Sequence, residues 1–211
     1  LVDHIADFNL VYTEHARRHL LSEGIEHRRI YLTGSPMREV LNHYRKRIDA
    51  SDVLSRLSLS ERNYFIASLH REENVDNKAR LASLINALNL IAKNYNMPII
   101  VSTHPRTRKR VSKLKSVSID DRVRWMKPFG FLDYNRLQMG ALCAISDSGT
   151  IAEESSILGF AAITPRDAIE RPEALDVGCL IMTGVTPDAI LDGGEAITRV
   201  FKSRNADNLL Q

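Results

Sequence analysis

The sequence predicts an α/β domain of doubly wound type, a mostly parallel sheet with helices on both faces. Three observations predict it. About seven short strand-like runs recur along the 211 residues. Helical segments separate nearly every pair of runs, the spacing of βαβ units. Finally, no internal repeat or low-complexity tract interrupts the alternation, so one domain over residues 1–211 is expected.

Taken in order, residues 8–13 (FNLVYT) read as a first strand, followed by a helix over 14–23 that stops at Gly24. A second strand follows at 29–33. Gly34-Ser35-Pro36 then turns the chain, with Ser35 as N-cap and Pro36 at the first helical position of a helix over 37–48. Residues 49–62 are polar and predict a connection with a short helix. Residues 64–69 (YFIASL) form a buried strand. The clearest helix spans 80–95, with Leu81, Leu84, Ile85, Leu88, Ile91, Ala92 and Tyr95 on one face. Strands at 98–103 and 123–126 come next, then a helix from about Asn135. A short strand at 144–146 leads into Asp147-Ser148-Gly149 and a helix over 151–158, ended by Gly159. Strands at 161–164 and 180–183 complete the sheet. The closing helix over 187–202 is expected to be interrupted near Gly193-Gly194.

Composition narrows the class. Hydrophobic residues are 44% and charged ones 26%, ordinary for a globular protein. The net charge of +3 does not argue for a nucleic-acid partner, and suits a small anion as well. No run approaches ~18 apolar residues, so no membrane span is expected. The first residues carry no leader pattern. Cys143 and Cys179 stand far apart and in no metal-ligand spacing, so no metal is expected and a reducing, cytoplasmic setting is the simplest reading. The chain opens on Leu1 in mid-pattern, and a longer parent protein is expected.

Ligands of such folds sit beyond the carboxyl ends of the strands. There the sequence places His70-Arg71-Glu72-Glu73-Asn74, His104-Pro105-Arg106, Asp147-Ser148-Gly149-Thr150 with Glu153-Glu154, and Pro165-Arg166-Asp167 followed by Glu170-Arg171-Pro172-Glu173. Four strands thus deliver polar and charged residues to one rim. Ser148-Gly149-Thr150 suits a phosphate at a helix N-terminus. It equally suits a plain turn with Asp147 or Ser148 as cap. Glu153 and Glu154 either complement the helix dipole or accept both hydroxyls of a ribose. His70 can donate to a phosphate or move a proton. Arg171 can clamp a diphosphate, or pair on the surface with Glu170 or Glu173. The basic run 106–115 lacks interleaved aromatics and reads as a solvated helix face. Neither G-x-G-x-x-G nor a Walker-type loop is present.

These pieces resemble the non-hydrolysing UDP-N-acetylglucosamine 2-epimerases. Thr33-Gly34-Ser35-Pro36, His70 to Asn74, Asp147 to Glu154, and Arg166-Asp167 through the Glu170–Ala174 segment ERPEA match in order and spacing. HREENVD (His70 to Asp76) and SDSGT (Ser146 to Thr150) look most like the branch that makes UDP-N-acetyl-L-fucosamine from a UDP-2-acetamido-2,6-dideoxy-L-talose. Family members more often carry Arg at Glu72, Gly at Thr150 and Gln at Ala152.

The resemblance implies a two-domain GT-B fold, of which this chain is the Rossmann-like C-terminal half. It implies inversion of C2 of a UDP-2-acetamido sugar by elimination and re-addition of UDP, in the synthesis of cell-surface polysaccharide precursors, with no cofactor. Ser148, Gly149 and Thr150 would hold the diphosphate, Glu154 the ribose hydroxyls, and Arg171 and His70 the phosphate and sugar side, His70 as the catalytic candidate. Tyr134 would lie near the uracil. Arg71 and His104 match residues that contact a second, allosteric UDP-sugar in some members. The full-length protein would be a homodimer, with no nucleic-acid or membrane partner. A GT-B glycosyltransferase domain and a non-enzymatic UDP-sugar-binding module are the alternatives.

Overall fold

The computed structural model describes residues 1–114, 117–167 and 179–207, with the backbone alone for 202–207. The chain divides into two compact units, Leu1–His43 and Tyr44–Gln211.

In the first unit, β1 (Asn9–Val11) and β2 (Ile30–Leu32) pair in parallel, Leu10 against Tyr31. α1 (Val2–Ile5) precedes them and α2 (Glu14–Ser22) is their crossover. Thr13 caps α2 by accepting from the Ala16 amide at 3.2 Å. Gly24, at φ +87°, lets the chain reverse behind it. Val11, Leu20, Ile25 and Ile30 form a small core, and among the described residues the two strands pair only with each other. The run of strand signals therefore belongs to two sheets. α3 (Pro36–Asp49) begins as its turn predicts, the Ser35 hydroxyl accepting from the Met37 amide at 3.1 Å.

The second unit is built on six parallel strands in the order β5-β4-β3-β6-β7-β8. They are β3 (Phe65–Ser68), β4 (Ile99–Ser102), β5 (Val123–Met126), β6 (Cys143–Ser146), β7 (Ala162–Thr164) and β8 (Leu180–Met182). Successive residues of β3 point to opposite faces and both faces are buried. Phe65 and Ala67 join Leu84, Leu88, Ile91, Val101, Ile145, Ile190 and Ile197 in one core. Tyr64 and Ile66 join Ile100, Leu137, Ala144, Ile151 and Phe160 in the other. α6 (Lys78–Tyr95) and α10 (Pro187–Asp207) cover the first face; α4 (Val53–Arg56), α8 (Phe131–Gly140) and α9 (Ile151–Leu158) cover the second. Short helices α5 (Glu72–Val75) and α7 (Pro105–Val111) follow β3 and β4.

Two expectations change. α8 starts at Phe131, four residues before Asn135, because Gly130 is its N-cap. α10 runs unbroken through Gly193-Gly194. Gly193 is buried against β8's end, and a Cβ there would stand 2.3 Å from Thr183 Cγ2. The glycine serves close helix packing and not a break. Among the described residues, no helix is long and apolar enough to cross a membrane.

Candidate functional site

β3 and β6 are neighbours, yet β3 leads on to β4 on one side and β6 to β7 on the other. Renumbered from β3, the order is the 3-2-1-4-5-6 of dinucleotide-binding sheets, and its crevice opens where the two halves diverge. Ser68 and Ser146, the last residues of the two strands, are register partners at that point.

Asp147 joins the two loops. Its side chain is fully buried and accepts from the His70 amide at 3.0 Å, the Arg71 amide at 3.1 Å and Asn74 Nδ2 at 3.0 Å. The Asp147 carbonyl accepts from Arg71 Nε at 3.0 Å. His70 Nδ1 lies 3.2 Å from Asp147 Oδ1. Asn74, also fully buried, donates to the Pro165 carbonyl at 3.3 Å and accepts from Arg80 Nε and Nη2. Arg80 goes on to Asp167 at 2.6 Å. The loops after β3, β6 and β7 are therefore one hydrogen-bonded frame. The plain-turn reading expects Asp147 or Ser148 to cap α9, and neither does. Thr150 is the N-cap and makes no side-chain capping bond. Ser148 Oγ lies 3.0 Å from Thr150 Oγ1 and accepts from the Thr150 amide, which keeps the turn tight. Gly149 is exposed at its tip. The amides opening α9 thus face the rim at the positive end of the helix dipole.

Glu154 lies one turn into α9, where Gln138 Nε2 donates to its Oε2 at 2.8 Å. Gln138 itself is buried. Tyr134 packs against the second core, with its hydroxyl near Ser68 and Ser146. Burial, and then the charges of Glu154 and Asp147, push that phenol well above its usual range, so it stays protonated.

Beside this frame opens a pocket of about 410 Å³ lined by His70, Arg71, Glu72, Glu73, His104 and Arg106. It brings together the three expected residues His70, Arg71 and His104. His104 caps α7 through Nδ1, which accepts from the Arg106 amide at 3.3 Å. Arg106 pairs with Glu72 and Asp76, and Arg110 with Asp76 at 3.1 Å. The opening of the basic run is spent on these ion pairs, and only in part on solvent. Their pull holds the Asp76 carboxyl below the usual range, Arg106 foremost. Ser148, Gly149, Thr150, Glu154 and Tyr134 are not among the residues lining this pocket. Arg171 and the ERPEA segment lie outside the described residues.

Asp147, Asn74 and Gln138 carry structural roles that residue spacing does not reveal. Asp147 and Asn74 are 73 residues apart, and only the pairing of β3 with β6 brings them together.

The sheet order defines a Rossmann-like, doubly wound α/β unit, and its structural neighbours are of the GT-B class. The model of the UDP-N-acetylglucosamine 2-epimerase family matches residues 1–209. The chain belongs to that family. It is 34% identical to the UDP-N-acetylglucosamine 2-epimerase of Methanocaldococcus jannaschii over 229 aligned positions, covering 99% of this chain and 58% of that protein. The structure of the Rickettsia bellii enzyme of the same name is 42% identical, with a TM-score of 0.83, over 94% of this chain and 52% of that one. The M. jannaschii enzyme in complex with UDP-GlcNAc and UDP superposes with a TM-score of 0.84 at 33% identity, over 94% of this chain and 56% of that one. The chain spans a little over half the length of the curated relatives it matches.

Proposed function

We propose that this chain is the UDP-binding part of a UDP-2-acetamido sugar 2-epimerase. One observation carries the reading: the amides opening α9 and the His70 loop meet at the switch point, locked together by Asp147. Likeness to an enzyme whose structure holds UDP-GlcNAc and UDP supports it.

In the proposed reaction a base takes the C2 proton and the C1–O bond breaks, its electron pair leaving with UDP. A 2-acetamidoglycal remains. Protonation of C2 on the opposite face and return of UDP to C1 complete the inversion, with no redox partner. The chemistry needs strong stabilisation of the departing diphosphate. Ser148, Gly149 and Thr150 supply it from the α9 N-terminus, and Arg171 adds a bidentate clamp. Glu154, oriented by Gln138, takes the ribose hydroxyls. Tyr134 lies by the uracil, and His70 faces the sugar as an acid/base group. Arg71 and His104 serve a second, regulatory UDP-sugar in the 410 Å³ pocket. We assign the principal acid/base carboxylates to a part of the protein outside this chain, which then binds UDP without turning over. The preferred substrate is the 6-deoxy-talose type, the product is used for surface polysaccharide, and the full-length protein works as a homodimer.

Calorimetric titration with UDP, with UMP and ADP as controls, tests the reading. Saturable binding that prefers UDP is expected. Glu154→Ala and Arg171→Ala each weaken it tenfold or more, corresponding to ~1.5–3 kcal/mol for a charged hydrogen bond. Equal affinity for ADP would overturn the assignment. Epimerisation by the purified chain would overturn the division of labour.

A further inference from the structure

We propose that Asp147 is a positioning residue that holds the neutral His70 ring in its Nδ1–H form, so that Nε2 meets a ligand as an acceptor. The backbone sets the pocket's other histidine, His104, in the opposite form, with Nε2–H as a donor.

The argument rests on which groups face each ring. Three N–H groups, from His70, Arg71 and Asn74, already donate to the Asp147 carboxylate. Its oxygens act only as acceptors there. His70 Nδ1 stands 3.2 Å from one of them, a charge contact outside hydrogen-bond alignment. A bare ring lone pair at that distance from a carboxylate oxygen is repelled, and an N–H is attracted. The proton of the neutral ring therefore sits on Nδ1. His104 has the reverse environment: its Nδ1 accepts from the Arg106 amide at 3.3 Å, so the proton of the neutral ring sits on Nε2.

The two rings line one pocket, together with Arg71, Glu72, Glu73 and Arg106. One acceptor nitrogen and one donor nitrogen suit a hydroxylated ligand, whose O–H both donates and accepts. A bare phosphate offers His70 Nε2 no proton to accept. The lock also acts across the chain, because Asp147 ends the β6 loop and His70 the β3 loop. A carboxylate that positions the histidine differs from one that only ties loops, since the proton's place on the ring depends on it.

The place of the protons does not rest on the proposed function; their bearing on a sugar hydroxyl does. The test is two-bond ¹H–¹⁵N correlation of the imidazoles in the full 211-residue chain above the histidine titration range. His70→Gln and His104→Gln identify the signals. Unliganded wild type is expected to show His70 with protonated Nδ1 and bare Nε2, and His104 with the reverse. In Asp147→Asn the His70 pattern is expected to shift toward Nε2–H, while His104 keeps its own. A wild-type His70 protonated on Nε2 overturns the proposal, whether or not Asp147→Asn folds. So does an unchanged His70 pattern in a folded Asp147→Asn. If both rings behave as expected and UDP fails to bind, the proposed function falls and the tautomer assignment stands.

Discussion

Tyr64 is fully buried, and its hydroxyl donates to the Leu137 carbonyl at 2.6 Å. Burial pushes the phenol above its usual range against the pull of nearby Arg136, so this donor is permanent at ordinary pH. Tyr64→Phe keeps the packing and removes one buried bond. A loss of about 0.5–1.5 kcal/mol is expected, read as a lower urea midpoint with unchanged slope. A neutral substitution would mean that the Ala141 amide, which also donates to the Leu137 carbonyl at 3.1 Å, satisfies it alone. The same scale shows how sequence reading works at the site. The Ser148-Gly149-Thr150 turn and the charged rim were legible because short polar motifs follow apolar strands. Asp147 was legible only as a local cap, since a side chain that bonds amides 76 and 77 residues away leaves no periodic trace. Asn74 and Gln138 were hidden for the same reason: their partners arrive through sheet order and helix packing.

At the scale of elements, each expected strand forms, and the long amphipathic helix gains only Lys78 and Ala79 at its start. There Asn77 accepts from the Ala79 and Arg80 amides and moves the cap forward. Gly193 misled because glycine marks a break and a close approach with the same letter. Gly193→Ala separates the two meanings. Intrinsic propensity favours alanine by ~1 kcal/mol in a helix. The contact with Thr183 opposes it with an overpacking cost of about 1–3 kcal/mol. A net loss of thermal stability is expected. Adding Thr183→Ser, which deletes the clashing methyl, is expected to restore most of it. A Gly193→Ala protein more stable than wild type would contradict the packing role.

Over the whole molecule, several ionisable groups are held neutral by burial. The Cys143 thiol and the Tyr64 and Tyr134 phenols are all pushed up. In the unfolded chain a thiol ionises near ~8.5 and a phenol near ~10. Above those values the unfolded state has lost protons that the native state keeps, so stability falls as pH rises. The decline is expected to begin above about pH 8.5 and to steepen beyond about pH 10. Urea midpoints at pH 7, 9 and 10.5 check it, and a flat profile would refute it. Strand order is the property of the whole that periodicity could not supply. Nothing in residues 8–13 or 29–33 distinguishes them from the other strands, yet β1 and β2 make a sheet of their own.

Trp125, the only tryptophan in the sequence, sits on β5 at the outer edge of the six-stranded sheet. β4 separates it from β3, and at ~4.8 Å per strand β5 runs about 10 Å from the strand that borders the crevice. The chain thus carries a natural optical reporter set two strands from the crevice proposed for UDP. Its emission is expected to follow the melting of the sheet's edge and to remain steady while UDP is titrated in. Unfolding can then be followed in the presence of UDP without the ligand shifting the baseline.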